Sequence, residues 1–270
     1  MLYIIATPIG NLEDITLRAK RIFEKCDYLL CEDTRRSQKL LNHLNIKKKL
    51  FSFHKFSESK KQQKILEDLK KGSEIGLISD AGTPLICDPG VKLVASCQKE
   101  GIEVVTIPGP SSLTAALSLS GLEFEKFQFL GFLPKKANEL KEKLLDALTY
   151  NGVSIFYESP NRIQKTLQNI DQLAPQRHLV LAKELTKKFE TVFSGCAKEI
   201  LNTLKDIKGE FVLMIAQEQN AAWEKIDLKK LVKWLQDSFD VDEKEAIKMT
   251  AVLRHTSKRN VYNTLLKNLD

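Results

Sequence analysis

Runs of four to six residues that stay apolar without alternating, each followed by a turn and then a helical pattern, constrain this chain more than any other feature. Leu2 to Ala6 runs into Thr7-Pro8-Ile9-Gly10, and Asp27 to Cys31 into Glu32-Asp33-Thr34-Arg35-Arg36. Ile75 to Ile78, broken only by Gly76, empties into Ser79-Asp80 and two turns, Ala81-Gly82-Thr83-Pro84 and Asp88-Pro89-Gly90; Val104 to Ile107, the end of a strand from Ile102, empties into Pro108-Gly109-Pro110-Ser111-Ser112. A strand that is apolar at every position must be covered on both faces, and strand, loop and helix repeated in that order build a parallel α/β sheet. In such sheets ligands bind beyond the carboxyl ends of the strands, where glycine lets the main chain approach a ligand that a Cβ would exclude. A plain turn explains any one of these loops equally well; two of the same kind point to a shared ligand.

The remaining elements follow the same periodicities. A first helix is expected to start from a cap at Asp14 or Thr16 and run to about Lys25, with others over Ser37 to Leu44, Lys60 to Lys71, Val91 to Glu100 and Ser111 to Leu119. Leu50 to His54 reads as an edge strand, and the lysine-rich face of the Lys60 helix as solvated surface. These units make a first domain, residues 1–120. Residues 121–222 mix strands at Phe127 to Phe132, Val153 to Tyr157, Leu179 to Ala182, Thr191 to Gly195 and Phe211 to Ile215 with helices at Glu139 to Leu148, Asn161 to Leu173 and Ala197 to Leu204, a second α/β (α+β) domain. From Trp223 the pattern is helical only: Leu228 to Phe239, Glu243 to Leu253 and Lys258 to Leu269 form a small bundle over residues 223–270. Its last two helices resemble a helix-turn-helix pair with Arg254, Lys258 and Arg259 around the turn, and a packing or dimer appendage accounts for it as well as an RNA contact does.

Composition excludes several classes. The 43% hydrophobic and 29% charged content is that of a folded soluble enzyme, and the net charge of +7 is compatible with a polyanionic partner without requiring one. Five cysteines, an odd number with no C-x-x-C, argue against a disulfide framework or a zinc ribbon and for a reducing, cytoplasmic setting. The apolar start stops at Thr7-Pro8, too short for a signal peptide, and no later run reaches the roughly 18 apolar residues of a membrane span. G-x-G-x-x-G, the P-loop, H-E-x-x-H and G-x-S-x-G are all absent, and His43, His54, His178 and His255 are scattered, so no metal site is expected. What remains is a set of polar strand-end loops suited to holding and positioning a small amphipathic molecule.

Leu2-Tyr-Ile-Ile-Ala-Thr-Pro-Ile-Gly-Asn-Leu, Glu32-Asp-Thr-Arg, Ser79-Asp-Ala-Gly-Thr-Pro, Asp88-Pro-Gly, Pro108-Gly-Pro-Ser, Gly131-Phe-Leu-Pro, Tyr157-Glu-Ser-Pro, Glu184-Leu-Thr-Lys and Gly209-Glu-Phe-Val occur in that order. Together they resemble the ribosomal RNA small-subunit methyltransferase I family of the tetrapyrrole-methylase class. The resemblance implies two α/β domains with a cleft between them, S-adenosylmethionine as donor, 2′-O-methylation of a cytidine ribose in 16S rRNA, and a homodimer without membrane attachment. It places the donor against Thr7, Pro8 and Ile9, against Asp80, Ala81, Gly82 and Thr83, against Ser111 and Ser112, and near Tyr157, Leu185 and Phe211. Asn161 and Arg36 stand where the family commonly carries histidine. Methylation of a tetrapyrrole or another small acceptor is the alternative within the same fold.

The sulfonium donor is already electrophilic, so the protein has to align the acceptor oxygen and remove its proton. Glu32, Asp33, Glu158, Lys183, Glu184 and His54 lie at strand ends, with Lys183 or Asp33 the expected aid to deprotonation. Arg35 and Arg162 are expected on RNA phosphates, with His54 and Arg259 as further substrate contacts, although an interdomain ion pair explains each charged residue as well.

Overall fold

A computed structural model describes residues 1–54, 58–217, 226–239, 241–254 and 256–267. Trp223, His255 and the expected end of the last helix at Leu269 lie outside them. The chain divides into two compact units, Met1–Ala115 with Leu185–Phe189, and Ala116–Glu184 with Glu190–Asp270.

In the first unit, β1 (Leu2–Ile5), β2 (Tyr28–Cys31), β3 (Lys49–Ser52), β4 (Ile75–Ile78) and β5 (Val104–Ile107) form a sheet of order β3-β2-β4-β1-β5. Every pairing is parallel, with Leu2 opposite both Ile75 and Val104. The lack of alternation has its reason in two separate apolar layers. Tyr3, Ile5, Leu29 and Cys31 pack with Ala19 and Phe23 of α1 (Leu17–Lys25) and Leu40 and Leu41 of α2 (Thr34–His43). Leu2, Ile4, Leu30 and Leu77 pack with Ile65, Leu66 and Leu69 of α3 (Glu58–Lys70) and Leu93 and Cys97 of α4 (Val91–Lys99). α5 (Ser112–Leu119) follows β5.

Of the two helix starts near the strand ends, one falls on an expected cap and the other does not. Thr16 caps α1, its Oγ1 accepting the Ala19 N–H at 3.0 Å, while Asp14 belongs to a 3₁₀ turn over Leu12–Asp14. α2 begins three residues before the expected Ser37, because the Asp33 carboxylate accepts the Arg35 N–H at 2.9 Å and caps the helix; the charge cluster read as loop is its first turn.

The second unit holds β6 (Phe127–Phe132), β7 (Val153–Glu158), β8 (Leu179–Lys183), β9 (Thr191–Gly195) and β10 (Phe211–Ile215) in the order β6-β7-β10-β8-β9. Only β6 and β7 run parallel; β7–β10, β10–β8 and β8–β9 are antiparallel, the mixed character expected of this half. One face, through Phe156, Leu181 and Leu213, shares a single apolar core with α6 (Ala137–Thr149), α7 (Ile163–Leu173) and α8 (Ala197–Thr203). The C-terminal helices α9 (Leu228–Phe239), α10 (Glu243–Leu253) and α11 (Lys258–Lys267) enter that same core through Leu231, Leu235, Phe239, Ile247, Leu253 and Val261. No helix among the described residues is long and apolar enough to cross a membrane.

Candidate functional site

Because all five strands of the first sheet are parallel, their following loops emerge at one end, and hydrogen bonds tie them together. Thr7 and Gly82 exchange both main-chain bonds, Thr7 N–H to Gly82 O at 2.9 Å and Gly82 N–H to Thr7 O at 3.0 Å. The Thr7 hydroxyl donates to Ser79 O at 3.2 Å, and Thr83 Oγ1 donates to Pro110 O at 3.2 Å. Asp80 Oδ1 accepts the Asp33 N–H at 2.9 Å, and Arg36 Nε stands 3.7 Å from Asp80 Oδ2. The loops after β1, β2, β4 and β5, recognised separately in the sequence, are thus one connected rim.

The rim stores backbone strain. Leu85 and Cys87 have φ of 75° and 72°, and Thr186, a β-branched residue, 63°. Such conformations cost of order 1–3 kcal/mol each and persist where the surroundings enforce them, as at ligand sites. Thr186 belongs to the Leu185–Phe189 segment of the first unit, of which the resemblance placed only Leu185 near the donor. Its Oγ1 accepts the Asn11 N–H at 3.0 Å, and a Cβ on Gly10 would stand 2.9 Å from Leu185 O. The signal for this contact was Gly10 itself, a glycine required by close approach.

The expected donor contacts separate into scaffold and surface. Thr7, Pro8, Ile9 and Gly82 are buried, and Thr7 and Gly82 spend their main-chain groups on each other. Asp80, Ala81, Thr83, Ser111 and Ser112 are partly exposed and small. Leu185 is buried in the first unit. In the second unit Tyr157 is partly exposed, its ring edge-on to Phe129 and Phe132 with centroids 4.8 and 5.6 Å away. The Phe211 side chain is buried in the apolar core, so it has no surface to offer a ligand.

The expected catalytic and RNA-binding residues are distributed differently than their strand-end positions suggest. Glu158, Phe211 and Lys183 stand side by side in register on β7, β10 and β8 and therefore share one face, turned toward the helices; Tyr157 takes the other. Glu158, 2% exposed, accepts the Ser159 N–H and the Thr166 hydroxyl at 2.8 Å each, with Arg162 Nη2 at 3.6 Å. The Lys183 ammonium donates at 2.8 Å to both Asp206 Oδ2 and Asp206 O, and that bond is the first cause holding the Asp206 carboxyl below its usual range. Arg162 spends Nη1 and Nη2 on Leu133 O and Pro134 O, pinning the Gly131-Phe-Leu-Pro turn. These three side chains are occupied within the second unit, which speaks for structural tasks over proton transfer or phosphate binding.

In the first unit, the Arg35 guanidinium, and after it the Arg35 N–H, holds the Asp33 carboxyl down to about 2, which makes Asp33 a weak base. Glu32 is exposed, and among the described residues no ion pair engages it. His54 is half-buried just beyond β3, and Arg259 lies exposed on α11. Burial pushes the Cys26 thiol up to about 12 and the Cys31 and Cys97 thiols in the same direction, so none is a ready nucleophile. Among the described residues no cluster could hold a metal ion.

Asp33 gives a pH signature. A folded-state pKa below the ordinary 3.8 means that the cap stabilises α2 above about pH 4 and that this contribution disappears as pH falls through about 2. Amide exchange in the first turn of α2 is expected to accelerate in that window, and Asp33→Asn, which keeps an acceptor without the charge, should remove the pH dependence. Equal acceleration in both proteins would assign the effect to another group.

Residues 1–201 match the family model described as tetrapyrrole (corrin/porphyrin) methylases. The chain is 40% identical over 270 residues to the ribosomal RNA small subunit methyltransferase I of Halalkalibacterium halodurans, covering 97% of this chain and 93% of that one. It is 38% identical to the protein of that name from Escherichia coli O157:H7, over 98% and 94% of the two chains. Among solved structures, uroporphyrin-III C-methyltransferase from Thermus thermophilus superimposes with a TM-score of 0.57 at 17% identity, covering 80% of this chain and 93% of that one. A cobalt precorrin-4 methyltransferase does so with 0.59 at 16%, covering 79% and 93%. Identities that low carry the fold alone. The family match over residues 1–201, joined to relatives alike along nearly the whole chain, means that this chain belongs to the ribosomal RNA small subunit methyltransferase I family of the tetrapyrrole (corrin/porphyrin) methylases.

Proposed function

We propose that this protein transfers a methyl group from S-adenosylmethionine to the 2′-hydroxyl of a cytidine ribose in 16S rRNA of the small ribosomal subunit, acting as a cytoplasmic homodimer. The observation that carries the RNA substrate is the 40% identity, sustained over 97% of the chain, to a relative named for small-subunit ribosomal RNA. The rim of the first sheet supports the donor. Asp80 offers a carboxylate; Ala81, Thr83, Ser111 and Ser112 offer small, partly exposed surfaces; and at Gly82, φ 78°, a Cβ would stand 3.3 Å from Ile9 Cγ2. A cradle of that make fits an amphipathic nucleoside. The assignments of Tyr157, Leu185 and Phe211 rest on the family resemblance; Phe211 would take part through its main chain.

The donor supplies an electrophilic methyl group on a positively charged sulfur. The rim residues hold it in one orientation, which leaves alignment of the ribose oxygen as the principal catalytic task, worth roughly 7–11 kcal/mol when geometry is good. Glu32, exposed at the end of β2 and next to the Asp33–Asp80 bond, takes the hydroxyl proton, since Asp33, Glu158 and Lys183 are each held by a partner.

A labelled-methyl assay on small ribosomal subunits, with mapping of the modified ribose and a porphyrinoid as competing acceptor, tests this function. Methylation of the porphyrinoid alone would overturn it. Asp80→Ala is expected to raise the donor KM at least tenfold, whereas Glu32→Gln should lower kcat by roughly 10²-fold with donor affinity intact. Wild-type kinetics in either variant would remove that residue from the site.

A further inference from the structure

The positive charge of this chain is concentrated. Residues 34–66 contain ten Lys and Arg against a single acid, Glu58. That excess of nine is larger than the chain's net +7, so the rest of the molecule is slightly acidic. A lysine-rich helix face is ordinarily solvated surface, but a whole-chain excess gathered into one stretch calls for another reason.

The fold gathers much of it on one edge. β3 is the terminal strand of the first sheet, with one side unpaired among the described residues, and α2 lies beside it. Between them runs an open groove of about 540 Å³ lined by Thr34, Arg35, Gln38, Lys39, Asn42 and Leu50, with no carboxylate in its wall. Arg35 and Lys39, and Gln38 and Asn42, are four apart and share one side of α2, and Gln38 Nε2 donates to Asn42 Oδ1 at 2.8 Å. Lys47 and Lys49 lead into and along β3. Lys39, Lys47 and Lys49 are exposed, and no carboxylate among the described residues pairs with them. Lys48 and Lys61, by contrast, are spent on Glu24 O and Ser52 O.

This edge is continuous with the rim. β2 and β3 are parallel with Cys31 opposite Ser52, so both strands end together, and β2 leads at once into Glu32 and Asp33. We propose that the α2–β3 edge is the track on which the RNA backbone lies, with Lys39, Lys47 and Lys49 on phosphates and the Gln38–Asn42 pair on sugar or phosphate oxygens, while Arg35 at its head stays paired with Asp33. The track rests on the RNA-methylating function above and adds where the substrate docks. Phosphate contacts of this kind set register without reading sequence.

The test is the exposed triple variant Lys39→Gln/Lys47→Gln/Lys49→Gln in the full chain, measured for 16S rRNA affinity over a salt series and for S-adenosylmethionine affinity by calorimetry. RNA affinity is expected to fall roughly tenfold or more and the slope of log K against log salt to drop by about 3, with donor affinity unchanged. RNA affinity and salt slope equal to wild type would overturn the track while wild-type methylation of small subunits still stands. A change of oligomeric state by light scattering without loss of RNA affinity would equally overturn it, by making the edge an interface between copies. If the wild type itself neither binds nor methylates small-subunit RNA, the parent function fails, and the track with it.

Discussion

A chain ending at Gln217 is expected to lose cooperative unfolding of its second unit and to bind hydrophobic dyes. Leu231, Val232, Leu235, Phe239, Ile247, Met249, Leu253 and Val261 are all less than 10% exposed and belong to the same core as Leu144, Phe156 and Leu213. Full burial of side chains this size is worth about 1.5–3 kcal/mol each, an upper estimate since unfolded chains are not fully extended. Even half of that for these side chains is comparable with the roughly 5–15 kcal/mol net stability of a typical domain. Polar ties add to the attachment: the Lys141 ammonium donates to Phe239 O at 2.6 Å and sits 4.9 Å over the Phe239 ring, and Lys248 pairs with Glu142. Calorimetry on the truncated chain decides the matter. A cooperative transition at the wild-type temperature would make the C-terminal helices an appendage.

Gly10→Ala is expected to be nearly silent for expression yet severe for catalysis. An added methyl would press on Lys187 Cγ and stand 2.7 Å from Thr186 Oγ1 and 2.9 Å from Leu185 O, the last a main-chain atom that cannot rotate away. Overpacking of this kind costs about 1–3 kcal/mol. Relief requires the Thr7-Pro-Ile-Gly loop and the Leu185–Phe189 segment to part, straining the Asn11–Thr186 bond and, through Thr7, the bridge to Gly82. A displacement near 1 Å of positioning groups can cost on the order of 10²-fold in rate. Methyl transfer should therefore drop by about that factor while the melting temperature falls only a few degrees. Activity within twofold of wild type would show that the segment's position does not bear on catalysis.

The four strand-end loops were readable because their causes are local. Apolar runs, Gly-Pro turns and helix periodicity lie within a few residues of one another, and a parallel sheet then has no choice but to bring such loops to one end. Thr16 as a cap was equally local. Asp33 was read as strand-end charge and candidate base, and its role as the α2 cap emerged only with the Arg35 N–H that its carboxylate accepts.

A parallel α/β unit with its loops gathered at the strand ends, a mixed second half and a helical end were all legible in the chain, since each follows from short-range chemistry. Which of the candidate side chains are at liberty depends on packing between distant parts of the chain. Glu158 and Lys183 sit at strand ends as expected, but the strand's period of two and the register with Phe211 turn them toward Thr166 and Asp206, while Tyr157 takes the opposite face. The Leu185–Phe189 segment joins the first unit through Gly10, more than 170 residues earlier. Pairings across such distances are set by packing of the whole chain, which no window of neighbouring residues contains.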